Sequence, residues 1–251
     1  MRAVWLSVGL ACALSAGAQE KAKPAWTAEA IIEKSIEASG GRAAMEKVTS
    51  TMVTGMMGTS PDEMHSLVTY YAKAPNKRLV VMNLEGLGEI RQGFDGAVGW
   101  HEMPGQDAAE FTGAQLAEVR REAIFNAPLK WRELYAKAEL KGKEKVGDRE
   151  AFVIVLTQAG DKPVTQYYDT ETFLLLRQAG NYSTPQGPMD IQAELSDYRD
   201  IGGGLKAPFQ RRQVMPVGQV VMKITALKNN VEIDDAIFTK PAPMLVPAPK
   251  K

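Results

Sequence analysis

This sequence is dominated by a long series of short runs rich in β-branched, aromatic and apolar residues. Runs of this kind favour β-strands, because such side chains fit a pleated, half-buried surface. Turn residues such as Asp95-Gly96 and Pro216-Val217-Gly218 separate consecutive runs, as expected for antiparallel neighbours. The series therefore predicts a mainly β protein (α+β class), with strands at 51–54, 66–72, 78–84, 151–157, 164–168, 173–178, 189–198, 209–215 and 219–227.

Two helical regions interrupt this β pattern. Thr27 is suited to cap the first helix, in which apolar residues recur at helical spacing until Gly40-Gly41 ends it. The second region covers 113–138, and Pro128 is predicted to divide it into two pieces. A helical excursion in a β protein usually packs across the sheet or one of its open ends.

The first eighteen residues, 1–18, match a secretory signal peptide. Arg2 supplies the positive start, an apolar stretch follows, and Ala16-Gly17-Ala18 offers the small residues that a signal peptidase accepts. The apolar stretch is shorter than the roughly 18–20 residues of a spanning helix, so no stable membrane span is predicted. We expect cleavage after Ala18 and a periplasmic location, with lipidation at Cys12 to give an outer-membrane lipoprotein as the less favoured alternative.

The rest of the chain is predicted to form one domain, 19–240, followed by a proline-rich tail, 241–251. Cys12 is the single cysteine of the sequence. The cleaved chain therefore has no disulfide, no thiolate nucleophile and no cysteine-ligated metal. Basic and acidic side chains number 30 each, and this balance gives no electrostatic footprint for nucleic acid.

The sequence contains no recognisable catalytic or cofactor motif. Its two histidines, His65 and His101, lie far apart and form no metal-ligand spacing. It has neither a Gly-x-Ser-x-Gly nucleophile elbow nor a glycine-rich phosphate loop. We therefore expect no catalytic residue, no cofactor and no metal; the weaker alternative is a hydrolase with paired carboxylates at Asp197/Asp200 or Asp234-Asp235.

Methionine is abundant, and eleven of the twelve methionines follow the predicted cleavage site. Methionine is flexible and polarizable, so it suits a surface that accepts variable apolar shapes, although ordinary core filling is the competing explanation. A β structure with apolar interior positions and helices over it can enclose a ligand cavity. The residues predicted to line such a cavity are Met52, Met56, Met82, Phe94, Trp100, Phe111, Phe125, Trp131 and Met222.

Three spaced segments carry a further signal. Residues 71–78 end a strand in a basic stretch around a proline, and residues 94–104 contain an Asp-Gly hairpin, an aromatic strand and a proline. Residues 233–241 contain Asp-x-x-x-Phe-x-x-Pro. In their order and spacing, these segments resemble the LolA/LolB-type family of periplasmic lipoprotein carriers, also called outer-membrane lipoprotein-sorting proteins. The resemblance extends over nearly the whole chain after the signal.

The resemblance implies an incompletely closed antiparallel β-barrel, a half-barrel whose apolar concave face is covered by helices. It implies a non-enzymatic carrier or binding protein for lipoprotein acyl chains or another lipid. The alternative is a structural or protein-interaction domain of the cell envelope, with an envelope protein as its partner, because one scaffold can serve several functions.

A basic residue directly before the proline latches the lid in the family, and Ala74 occupies that place here. Lys73 and Arg78 are the candidate latch residues in this chain. Lys73 is one position away, and a shift of one residue along a strand reverses the face of the side chain.

Overall fold

The structure is a computed structural model that describes residues 26–158, 162–184 and 187–243. The predicted signal peptide and the tail beyond residue 243 lie outside the described residues. Within the described ranges, thirteen strands form one antiparallel sheet. Their bounds are β1 Ser50–Gly58, β2 Met64–Lys73, β3 Lys77–Leu84, β4 Gly88–Phe94, β5 Gly99–Glu102, β6 Ala109–Glu110, β7 Lys137–Val146, β8 Arg149–Thr157, β9 Val164–Asp169, β10 Leu175–Thr184, β11 Gly187–Asp200, β12 Lys206–Met215 and β13 Gly218–Asn229.

The sheet consists of two meanders joined at its centre. Strands β1 to β6 run outward to one edge, and β7 to β13 run back from the other edge until β13 pairs with β1. Thr51 lies opposite Asn229 in this central pairing, and the register shifts between Thr54 and Gly55. Because β6 and β7 do not pair with each other, the sheet stays open. The predicted open antiparallel β architecture is confirmed.

In the part of the chain that the structure describes, four short α-helices accompany the sheet: α1 Ala28–Ala38, α2 Arg42–Met45, α3 Gly113–Glu122 and α4 Trp131–Leu134. As predicted, Thr27 caps α1, where its hydroxyl accepts a hydrogen bond from Ala30 N at 3.2 Å. Ala127–Lys130 and Asp235–Phe238 form 3₁₀ turns.

The break in the middle helical region comes earlier than predicted. α3 ends at Glu122, and Asn126 then adopts a left-handed conformation with φ of 53°. Asn126 tolerates this conformation better than most residues, and its Nδ2 donates to Met45 O at 2.9 Å. Pro128 lies inside the following 3₁₀ turn, where a proline near the start of a helical turn costs no hydrogen bond.

The two faces of the sheet are covered by different parts of the chain. We call the face that meets the α-helices the inner face and the opposite one the outer face. On the inner face, Ile31 of α1 and Trp131 of α4 pack with Ile154 of β8. On the outer face, residues 231–238 pack across β3 and β5, where Phe238 is fully buried. The core is therefore split between the two faces of a single sheet.

Within the described ranges, no helix combines the length and apolar character needed to cross a lipid bilayer.

Candidate ligand cavity

A cavity of about 470 Å³ lies between the inner face of the sheet and the helices. Ile32 and Ile36 of α1 form one wall, and Trp131 forms part of another. Leu156 of β8 and Tyr168 of β9 contribute from the sheet. The volume falls in the range of about 300–1,000 Å³ that is usual for small-molecule sites. The cavity is therefore a candidate site for a ligand of lipid size.

The apolar part of this cavity follows from the side-chain periodicity of α1 and β8. Side chains four residues apart share one face of a helix, which turns Ile32 and Ile36 towards the sheet. Alternation along β8 turns Ile154 and Leu156 inward. Trp131 is 6% exposed, and its Nε1 donates to Glu33 Oε1 at 3.0 Å, which fixes the ring in the cavity wall.

A continuous polar strip crosses the sheet side of the cavity. The hydroxyl of Tyr168 lies 2.5 Å from Gln166 Oε1, and Gln166 Nε2 donates to Gln178 Oε1 at 2.9 Å. Gln178 Nε2 in turn donates to the hydroxyl of Tyr182 at 2.8 Å. Each member has a partner, as buried polar groups require. The cavity is therefore amphipathic, with hydrogen-bonding groups beside apolar walls.

The tyrosines around the cavity are neutral at ordinary pH. Burial raises the pKa of Tyr135, Tyr168, Tyr182 and Tyr198 above the usual tyrosine value, because desolvation disfavours the phenolate. They therefore act as uncharged hydroxyls. The hydroxyl of Tyr198, for example, donates to Leu175 O at 2.7 Å.

α3 covers part of the cavity with charged side chains. Glu118, Arg121 and Glu122 of this helix line it. Arg121 Nη1 donates to Gln158 Oε1 at 2.7 Å, which ties α3 to the end of β8. Glu122 also forms an ion pair with Arg78 of β3. The helix is thus tied to two distant strands of the sheet.

The opposite side of α3 is apolar and anchors the helix. Val119 and Ala123 pack on Phe94 and Phe111 in a small buried cluster. α3 therefore combines an anchoring side with a charged side that meets the cavity.

The aromatic residues predicted to line a cavity are divided between several places. Trp131 lines the cavity. Phe94 and Phe111 are buried beneath α3, and Phe125 is buried with Leu205 in a separate cluster.

Two of the predicted methionines lie on the inner face outside the cavity. Met82 shares a face of β3 with Arg78, four residues earlier, and Arg78 meets α3. Met222 lies opposite Arg211 of β12, which itself lies opposite the cavity-lining Leu195.

The remaining predicted residues lie on the outer face. Met52 is opposite Tyr71, which packs in the cluster around Trp100. Met56 follows four residues later on the same face of β1. The indole Nε1 of Trp100 donates to Phe238 O at 2.7 Å in a buried hydrogen bond, which ties β5 to the C-terminal segment.

The two candidate latch residues point to opposite faces. Arg78 reaches Glu122 of α3 and has a side chain only 14% exposed. Lys73 instead donates to Ile233 O at 2.8 Å and to Asp235 Oδ1 at 2.7 Å on the outer face. Of the two, Arg78 alone contacts a helix over the cavity.

The carboxylates considered for hydrolysis all lie at exposed positions and serve local structure. Asp197 pairs with Arg199, and Asp200 accepts from Gly202 N at 2.7 Å. Asp234 accepts from Ala236 N at 2.9 Å. Asp235 pairs with two lysines of the outer face.

The two histidines lie next to different side chains. His65 lies 3.7 Å from Glu85 at the surface, and the His101 ring lies 4.9 Å from that of Phe111. Among residues 26–158, 162–184 and 187–243, no group of three or more histidine, cysteine, aspartate or glutamate side chains is arranged to hold a metal ion.

Sequence reasoning missed the polar half of the cavity. The residues of this polar half are of types that are common on protein surfaces. Only the alternation within β9, which turns Gln166 and Tyr168 to one face, places these residues inside.

The open sheet with helices over its inner face is a LolA-like fold. A LolA superfamily protein from Nitrosomonas europaea has a TM-score of 0.55 and 18% identity, covering 86% of this chain and 99% of that one. An outer membrane lipoprotein-sorting protein domain from Vibrio parahaemolyticus has a TM-score of 0.55 and 13% identity, with coverage of 85% and 97%.

A DUF1329 family protein from Desulfovibrio piger is also similar, with a TM-score of 0.58, 13% identity, and coverage of 84% and 97%. No protein-family model and no curated protein matches the chain. At these identities, the likeness establishes the fold.

Proposed function

We propose that this protein is a non-enzymatic periplasmic carrier that holds a lipid or a lipoprotein acyl chain in the cavity under its helices. The observation that carries the proposal is the cavity itself, which has the volume of a ligand site and an apolar end built by α1, α4 and β8. The fold shared with the LolA superfamily protein supports the same function.

Apolar burial supplies the driving force for such binding. Each CH₂ group that leaves water contributes about 0.8 kcal/mol. Ile36, Leu156 and Trp131 offer the apolar contacts that an acyl chain would otherwise find in a bilayer. A carrier of this kind can therefore take an acyl chain through water without any covalent chemistry.

α3 is the proposed lid. Its anchoring side is fixed on Phe94 and Phe111, whereas its charged side is held over the cavity by polar contacts. The Arg78–Glu122 ion pair is the proposed latch. Met82 and Met222 extend the inner face beyond the cavity and would meet parts of a ligand that the cavity does not enclose.

We further propose that residues 1–18 direct the export of the protein. Cleavage after Ala18 would release the protein into the periplasm, where lipids must cross an aqueous space between two membranes. N-terminal sequencing of the protein recovered from a periplasmic extract tests this step.

The proposed function can be tested by filling the cavity with a larger side chain. Ala127 lines it at the start of the 3₁₀ turn before α4, so Ala127→Trp should occupy the space of the acyl chain. We expect the affinity for a fluorescent fatty acyl probe to fall by about tenfold or more, equivalent to about 1.4 kcal/mol. The matched control is Ala114→Trp at an exposed position of α3, which should bind as the unmodified protein does.

Circular dichroism and urea unfolding must show that both variants are folded. Equal probe affinity in the two folded variants would mean that the ligand does not occupy this cavity. Failure of the unmodified protein to bind any acyl probe would contradict the carrier function itself.

A further inference from the structure

Polar and apolar residues occupy different ends of the cavity. β8 presents Ile154 and then Leu156 to the inner side, and Gln158 follows directly after the strand. Lys162 precedes β9, and Asn181 lies towards the end of β10; both line the cavity. One end of the cavity is therefore apolar and meets α1, whereas the other is polar and meets α3 through the Arg121–Gln158 hydrogen bond.

The polar end also carries charged side chains. Glu118, Glu122, Arg121 and Lys162 line it. Arg78 of β3 reaches it through its ion pair with Glu122.

Arg211 of β12 adds a further cation beside this end, at an exposed position. It lies opposite Leu195 in the β11–β12 pairing, and Leu195 lines the cavity. The β12–β13 pairing also places Arg211 opposite Met222 on the inner face. Among the described residues, Arg78 pairs with Glu122 and Arg121 with Glu118, but no carboxylate lies within ion-pair distance of Arg211.

A guanidinium in such a position favours an acidic oxygen group, because its fixed fork of donors matches carboxylate and phosphate geometry. A neutral hydroxyl or ester would gain only ordinary hydrogen bonds, which are roughly half as strong. The adjoining end, lined by Ile32, Ile36 and Trp131, offers apolar contacts to a chain.

We propose that the preferred ligand of this cavity is an amphiphile with an anionic head group, a carboxylate or a phosphate, whose head lies under α3 beside Arg211 and whose apolar chain extends towards Trp131. This inference rests on the proposed carrier function and specifies its ligand class.

The test compares ligands that share one chain and differ in the head. Palmitate, 1-palmitoyl lysophosphatidate and monopalmitoylglycerol would each displace a fluorescent acyl probe from the full cleaved chain at low ionic strength. We expect both anionic ligands to bind at least about fivefold more tightly than monopalmitoylglycerol, an advantage that salt reduces. The ratio of the two anionic affinities identifies carboxylate or phosphate as the preferred head.

Two variants that each remove one positive charge test whether Arg211 causes the preference for anionic ligands. Arg211→Gln should weaken the anionic ligands about fivefold and leave monopalmitoylglycerol unchanged. Arg120→Gln removes the same charge from an exposed position of α3 that does not line the cavity. It should leave all three affinities unchanged.

The outcomes separate this inference from the function on which it rests. Equal affinity for all three ligands, or equal effects of the two variants, would overturn the anionic preference while acyl binding stands. Binding of none of the three would remove the carrier function and the inference together.

Discussion

Asp235 holds two lysines together on the outer face of the sheet. Lys73 Nζ and Lys77 Nζ lie 2.7 and 2.6 Å from its two carboxylate oxygens. Hydrogen bonds from these lysines lower the pKa of Asp235 from 3.8 to about 2. The 3₁₀ turn that begins at Asp235 is thereby tied to β2 and β3.

This shift predicts an acid-dependent contribution to stability. Because the pKa is lower in the folded than in the unfolded chain, the contribution is complete above 3.8 and disappears as the pH falls towards about 2. Asp235→Asn should therefore lower the urea midpoint at neutral pH and lose this effect near pH 2. Asp148→Asn, in an exposed turn without an ion pair among the described residues, should show no such trend. A constant deficit of Asp235→Asn at every pH would contradict the prediction.

At the scale of single residues, composition indicated which side chains are apolar but not which face they occupy. Trp131 and Trp100 are equally plausible ligand contacts by residue type, yet one lines the cavity and the other is buried on the outer face. The faces follow from strand register. A register error of one residue exchanges the faces, so sequence alone could not assign Met52 and Met82 to opposite sides.

At the scale of elements, α3 shows how one short helix can be both anchored and releasable. Its contacts with Phe94 and Phe111 are apolar and enclosed. Its contacts with Arg78 and Gln158 are polar and partly exposed. Opening the polar side exposes no apolar cluster to water, so it is the side that can open without losing hydrophobic stabilisation.

This asymmetry predicts the effect of removing the latch charge. Glu122→Gln should increase the dissociation rate of a bound acyl probe by about threefold to fivefold, because a neutral amide makes a weaker hydrogen bond to Arg78 than the carboxylate does. Stopped-flow displacement measures the rate, and Arg120→Gln serves as the control on the same helix. An unchanged dissociation rate would show that the Arg78–Glu122 pair does not hold the lid.

Most elements were predictable because their signals are local. The cap at Thr27, the Asp95-Gly96 turn and the alternating strands each depend on a few neighbouring residues. The end of α3 was misplaced, since the left-handed Asn126 is stabilised by Met45, which is distant in sequence. The two-residue β6 carries too little pattern to be predicted.

At the scale of the whole molecule, the decisive contacts are long-range. The pairing of β1 with β13 joins two meanders that are remote in sequence, and no local pattern specifies it. The resemblance to lipoprotein carriers predicted this architecture because it compares the order of elements over nearly the whole chain. The cavity exists only once the helices between β6 and β7 cross the completed sheet.

The central claim is that an acyl chain occupies this cavity, and quenching of tryptophan fluorescence by a brominated fatty acid tests it most directly. Trp131 lines the cavity, whereas Trp100 is buried on the other face of the same sheet. We predict that the brominated acid quenches the unmodified protein and Trp100→Phe, and that most of the quenching is lost in Trp131→Phe. Quenching that persists in Trp131→Phe and disappears in Trp100→Phe, or no quenching at all, would contradict the account.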